Sequence, residues 1–157
     1  MAEFLPKSIL VTTDLSSAAT AAYPAARSLA VAYEATVTLL TCIDISIHLG
    51  ESSAGFEMPL VYLPEAVDAI KDRTESSLKE HLIRFFPGLA ARHAVLEAAR
   101  PVHHTIVEYI RSSGAELVVT ASHGRTGISR ALLGSVAEHV ARNAHAPTLI
   151  IPCGKAE

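Results

Sequence analysis

A chain of 157 residues, half of them apolar and 18% charged, carries enough core-forming material for one α/β domain over residues 1–157, and too much for disorder. The formal charge of -3 comes with no run of Lys or Arg, so the footprint of a nucleic-acid or anionic-membrane binder is missing and neither partner is expected. No apolar run reaches the roughly 18 to 20 residues of a bilayer span, the first ten residues lack a signal-peptide pattern, and Cys42 and Cys153 stand outside any CxxC pair, which makes a reducing cytoplasm the expected compartment.

Ser8 to Thr12 (SILVT) reads as a first strand, and the polar turn Thr12-Thr13-Asp14-Leu15-Ser16 follows it. An Ala-rich helix is expected over Ser17 to Tyr33, with a kink or a late start imposed by Pro24. Thr36 to Ile43 forms the second strand; Cys42 lies near its end. Residues 45–64, with Gly50, Gly55 and Pro59, show neither helical nor strand periodicity and read as a long loop. Val67, Ile70, Leu78, Leu82 and Phe85 recur at helical spacing and define a second helix over Pro64 to Phe86. A third strand over Ala94 to Ala98 precedes a third helix, Val102 to Ser113, which Gly114 closes. A fourth strand over Leu117 to Ala121 leads into Ser122-His123-Gly124-Arg125-Thr126-Gly127. The last helix spans Ser135 to Ala144, where Ser135 and Glu138 fit a capping box and Pro147 enforces the stop, and Thr148 to Pro152 is the fifth strand.

Apolar strands alternating with amphipathic helices imply an α/β, doubly wound parallel sheet of five strands with helices on both faces, because each crossover must be right-handed. Ligands bind such sheets beyond the carboxyl ends of the strands, where chain order reverses; the order 3-2-1-4-5 places the turn at Asp14 beside the loop at Ser122 to Gly127. Asp14 is there either a turn residue or a ligand contact. Gly124, Gly127 and Gly134 permit close backbone approach, and a helix start at Ser135 adds N–H groups and partial positive charge, so these segments form either a phosphate cradle or plain turns and a cap. The chain has no GxxxxGK[ST], GxGxxG or GxSxG motif. Adjacent Ser122 and His123 are expected to project in different directions, which argues against a catalytic triad, and no catalytic residue is assigned. His103 and His104 are neighbours, while His139 and His145 are six apart; neither spacing suits a shared metal, and solvated or capping roles are expected.

The segments ILVTTDLSSAA, LVVTASHGRTG, LLGSVAEHV and APTLIIP together resemble the universal stress protein family, in its ATP-binding branch, across essentially the whole chain. That branch carries Gly-x2-Gly-x9-Gly-Ser/Thr; here the frame falls on Ala121, Gly124, Gly134 and Ser135, with Ala121 in place of the first Gly, and Ala99-Arg100-Pro101 stands where Gly-x-Pro is common. The resemblance implies an adenine-nucleotide α-hydrolase-like fold and an ATP ligand, with Mg²⁺ as its companion ion and weak hydrolysis at most. It places Thr12, Thr13, Asp14 and Cys42 at adenine and ribose; Thr120, Ala121, His123 and Gly124 at ribose and the first phosphates; and Gly134, Ser135 and Val136 at the phosphate tail. Arg125 is either a phosphate partner or solvent-exposed. The implied protein is a stress-response regulator that forms a homodimer through the C-terminal edge strand and acts through a further protein partner. The alternative is a dimeric adaptor domain of the same fold that binds no ATP, with Ala121 and Ala99 as the marks of a lost pocket.

Overall fold

The computed structural model describes residues 3–45, 64–124 and 133–153. These residues form five strands, β1 (Ser8–Thr12), β2 (Thr36–Asp44), β3 (Ala91–Ala98), β4 (Leu117–Ala121) and β5 (Thr148–Ile151), and four α-helices, α1 (Tyr23–Tyr33), α2 (Pro64–Phe85), α3 (Val102–Ser113) and α4 (Ser135–Asn143). The strands pair in parallel in the order β3-β2-β1-β4-β5. Chain order therefore reverses between β1 and β4, as the alternation of elements predicts.

Because successive side chains of a strand point to opposite faces, β1 divides its residues between two cores. Ile9 and Val11 pack under α1 and α2 with Tyr23, Ala26, Leu78 and Phe86. Leu10 packs on the other face with Ile106, Val107 and Ile110 of α3 and Val140 of α4. Strand residues such as Ile9, Val37, Leu39 and Val119 are fully buried, which explains why the central strands read as unbroken apolar runs.

Pro24 delays the first helix. A short 3-10 turn occupies Ala19–Ala22, and α1 begins at Tyr23, which puts Pro24 in the first turn where its missing N–H has no intrahelical acceptor to lose. Gly114 caps α3 in the left-handed region at φ 69°, and Pro101 sits at the N-cap of the same helix. One strand is longer than its hydropathy suggests: β3 begins at Ala91, not Ala94, with register running from Val37↔Ala91 to Asp44↔Ala98. As an edge strand it tolerates polar residues, and Arg92 Nε donates to Thr38 Oγ1 at 2.9 Å. The expected long loop falls on residues 46–63 and lies outside the described residues, as do Arg125, Thr126 and Gly127.

Candidate functional site

A cavity of about 190 Å³ opens at the carboxyl ends of β1 and β4, where the sheet changes direction. At its floor Thr12 Oγ1 donates to Thr120 Oγ1 at 2.7 Å, which ties the two strands together where they diverge. The turn after β1 is closed by its own side chains. Leu15 N–H donates to Thr13 Oγ1 at 3.0 Å, Ser16 N–H to Asp14 Oδ1 at 3.0 Å, and Ala19 N–H to Ser16 Oγ at 3.1 Å. Leu15 is held at φ 63°, a left-handed conformation uncommon for a branched aliphatic residue, and its side chain packs against the core beneath α1.

Beneath this turn Tyr23, only 1% exposed, shares a hydrogen bond with Thr13 Oγ1 at 2.8 Å and another with His81 Nδ1 at 3.0 Å. Burial, outweighing the hydrogen bond from Thr13, pushes the Tyr23 phenol up to about 12. On the β2 side, burial first and the Asp44 carboxylate second push the Cys42 thiol up to about 11, so Cys42 faces the cavity as a neutral thiol at physiological pH.

The start of α4 differs from the expected capping box. Gly134 is the N-cap, extended at φ -64° and ψ 153°, and among the described residues no side chain caps the helix; Ser135 is the first helical residue. The cause is tertiary. Gly134 N–H donates to the carbonyl of Ser122 at 2.8 Å, and this fixes the register one residue earlier. Glu138 reaches Arg142 at 3.2 Å instead of folding back to the cap. The first turn of α4 thus borders the cavity, and among the described residues no side-chain oxygen caps its N–H groups.

Both described glycines of the cradle stand where a side chain would press on a neighbour, backbone at Gly134 and the end of a side chain at Gly124. A Cβ on Gly134 would stand 3.2 Å from the Ser122 carbonyl oxygen, and one on Gly124 would overlap the Asp14 carboxylate. The methyl of Ala121, where the resembled pattern has glycine, belongs to the packed core under α1.

Ser122 and His123 do meet, contrary to expectation: Ser122 Oγ and His123 Nδ1 are 2.9 Å apart. Ser122 Oγ also accepts the Cys153 N–H at 3.1 Å, and the Cys153 thiol donates to the carbonyls of Ala18 at 3.4 Å and His123 at 3.5 Å. The hydroxyl is therefore engaged in pinning β5 to the loop after β4. His139, half-buried, stacks its ring on that of His103 at 3.6 Å.

Eleven residues singled out from sequence, Thr12, Thr13, Asp14, Cys42, Thr120, Ala121, His123, Gly124, Gly134, Ser135 and Val136, border this one cavity. Arg125, the twelfth, lies outside the described residues. Ser122, which opens the loop singled out after β4, lines it too, and sequence reasoning missed Ala19, Val102 and Ile106, which also line it. Val102 and Ile106 are four apart on the apolar stripe of α3, a pattern that signals burial without saying that the stripe runs on into a cavity.

The architecture is that of a doubly wound α/β protein with a crevice at its switch point. The model of the universal stress protein family matches residues 6–152, and the chain belongs to that family. It is 30% identical over 156 residues to the universal stress protein MJ0531 of Methanocaldococcus jannaschii, an alignment covering 99% of this chain and 87% of the relative. Its fold is similar to that of the protein MJ0577 from the same organism, with a TM-score of 0.76 at 23% identity over 97% of this chain and 99% of the other. An Arabidopsis thaliana family member, whose crystal structure has AMP bound, aligns with a TM-score of 0.60 at 12% identity over 97% and 95% of the two chains. Among the described residues no helix is long and apolar enough to cross a membrane.

Proposed function

We propose that this protein binds ATP in the cavity between β1 and β4 and serves as a nucleotide-responsive regulator in the cytoplasm. One observation carries the reading: the self-closed turn at Asp14 faces the uncapped start of α4 across a single cavity. The first offers a carboxylate suited to ribose or adenine hydrogen-bond donors, and the second offers backbone N–H groups suited to phosphate oxygens. The predominantly apolar wall supplied by Val102, Ile106 and Ala19 suits a flat base. In this reading Thr12, Thr13, Asp14 and Cys42 meet the nucleoside, Thr120, Ala121, His123 and Gly124 follow the ribose and first phosphates, and Gly134, Ser135 and Val136 hold the tail. Mg²⁺ accompanies the phosphates, and no residue is assigned to it. That a family member of the same fold has AMP bound supports the choice of an adenine nucleotide.

The test is equilibrium binding of labelled ATP to nucleotide-stripped protein with Mg²⁺ present, paired with mass spectrometry of any nucleotide that co-purifies. Saturable binding is expected; a persistent null would favour an adaptor domain that binds no ATP. The reading includes a homodimer formed by pairing of β5 with its copy, supported by the edge position of this strand and by Leu149, 38% exposed on it. Sedimentation at tens of micromolar should show a dimer, and Ile150→Lys should yield a monomer or a less soluble protein.

A further inference from the structure

Three imidazoles gather between α3 and α4, beside the residues of these helices that line the cavity and not among them. Val102 and Ser135 line it; His103 follows the first of them, and His139 stands one turn after the second. The rings of His103 and His139 stack with centroids 3.6 Å apart and planes 27° apart, and the His104 ring lies 4.5 Å from His103 and 5.9 Å from His139. The Ser135 carbonyl can only accept, so His139 Nδ1 must carry a hydrogen and donate it across 3.0 Å. That bond fixes the ring against the turn that Ser135 begins. Face-to-face stacking sets the nitrogens of His103 and His139 side by side instead of aiming them at one centre, and among the described residues no group of three His, Cys, Asp or Glu is placed to hold a metal.

Two imidazolium rings at stacking distance repel one another, so without a neighbouring anion the cluster resists filling with protons. Burial first, then His139 and His104, holds His103 below its ordinary value. Of the other charged groups on the packed elements, Arg111 of α3 donates to the Asn143 carbonyl at 3.4 Å, and most of the rest form ion pairs. Glu138 binds Arg142 on α4, Glu108 binds Arg100 at α3, and Glu97 of β3 binds Lys71. Asp44 ends β2, and β5 contributes no charged residue. An anion held at the first turn of α4 would stand about one helical turn from His139, whose ring is bonded to the carbonyl of cavity-lining Ser135.

We propose that the His103–His104–His139 cluster takes up a proton when a polyphosphate tail occupies the cavity, so that the site prefers a nucleoside triphosphate over the bare nucleoside more strongly as pH falls. The proton comes from solvent and settles on an imidazole nitrogen, and no covalent bond changes. The proposal deepens the ATP-binding reading and rests on it. Binding and protonation are linked reciprocally: a tail that raises the cluster's proton affinity is itself bound more tightly once the cluster is protonated.

The experiment is calorimetric titration of the whole protein with ATP and, in parallel, with adenosine, between pH 6 and pH 7.5, in pairs of buffers that differ in ionisation enthalpy. The same titrations are run on the His103→Gln, His139→Gln double variant, which subtracts the titration of the ATP phosphates themselves. Relative to that variant, the wild-type protein should bind ATP about three- to tenfold more tightly at pH 6 than at pH 7.5, with net proton uptake, while adenosine shows no such difference. Equal uptake and equal pH slope in the two proteins would overturn the proposal and leave ATP binding standing. Failure of both ligands to bind would remove the reading beneath it as well. Should the double variant not fold, the ring-proton titration of wild-type His103 decides, with its midpoint expected to rise on adding ATP and an unmoved midpoint overturning the idea.

Discussion

After β1 the chain satisfies its donors locally: Thr13, Asp14 and Ser16 each accept a backbone N–H from within five residues, and Tyr23 supports the turn from below. After β4 it does the opposite. Among the described residues the start of α4 is held by a long-range bond, Gly134 N–H to the Ser122 carbonyl, and no side chain caps its first turn. The first segment is built as a rigid wall with one carboxylate, and the second as a set of donors held open by glycine. A site needs both kinds of segment, since donors already capped would have to break a bond before meeting a ligand.

The sharpest way to break this contrast is Gly134→Val. A Cβ added there would stand 3.2 Å from the Ser122 carbonyl oxygen, and the two methyl groups of valine should displace the helix start and its N–H groups. With two charge-assisted hydrogen bonds at stake, ATP affinity should fall on the order of 100-fold, measured by equilibrium dialysis, with adenosine affected far less. Asp14→Ala attacks the other wall. It removes the acceptor of Ser16 N–H and the proposed ribose or adenine contact, so ATP and adenosine should both weaken by roughly tenfold while the melting temperature falls only slightly.

Alkaline pH tests the support beneath that wall. Cys42 and Tyr23 have folded-state values of about 11 and 12 against ordinary values of 9.0 and 10.0, so the folded protein holds these protons more firmly than the unfolded chain. Their contribution to stability is fully present below pH 9 and is lost as pH rises towards 11 and 12. After discounting for partial exposure, urea unfolding should show a loss of about 1 kcal/mol between pH 8.5 and pH 11. Cys42→Ser should blunt the early part of that fall. The smallest effect belongs to Ser135→Ala: because Ser135 does not cap α4, stability should be unchanged, and the loss of one hydroxyl contact to phosphate should cost ATP about threefold in affinity. A marked drop in melting temperature in this variant would show that the helix start depends on the hydroxyl after all.

Local rules made much of this legible. The bounds of β1, α3 and β4 follow from apolar runs and from breakers such as Gly114, and Pro24 announced the late start of α1. They failed where a distant group intervened. Ser135 and Glu138 have the spacing of a capping box, and local chemistry alone would close it; the Ser122 carbonyl, twelve positions back, takes the Gly134 N–H and moves the cap by one residue. Ser122 and His123 are adjacent and would diverge on a regular strand, yet β4 ends at Ala121 and the chain turns, which lets the two side chains meet. Polar Arg92 and His93 hid the first part of β3 because an edge strand has only one neighbour to satisfy.

By itself the sequence determined the alternation of elements, the parallel sheet and the position of its switch point, since these depend on periodicity, on breakers and on the handedness of crossovers, all of which act over short stretches of chain. Which groups converge was decided only by tertiary structure. Val102 and Ile106 became cavity wall, and His103 and His139, 36 positions apart, became a stacked pair, because the angle and depth at which α3 and α4 lie on the sheet depend on how Ile106, Val107, Ile110 and Val140 fill one core against Leu10, Leu40 and Val118. That is a question of packed volume in three dimensions, and no spacing along the chain encodes it.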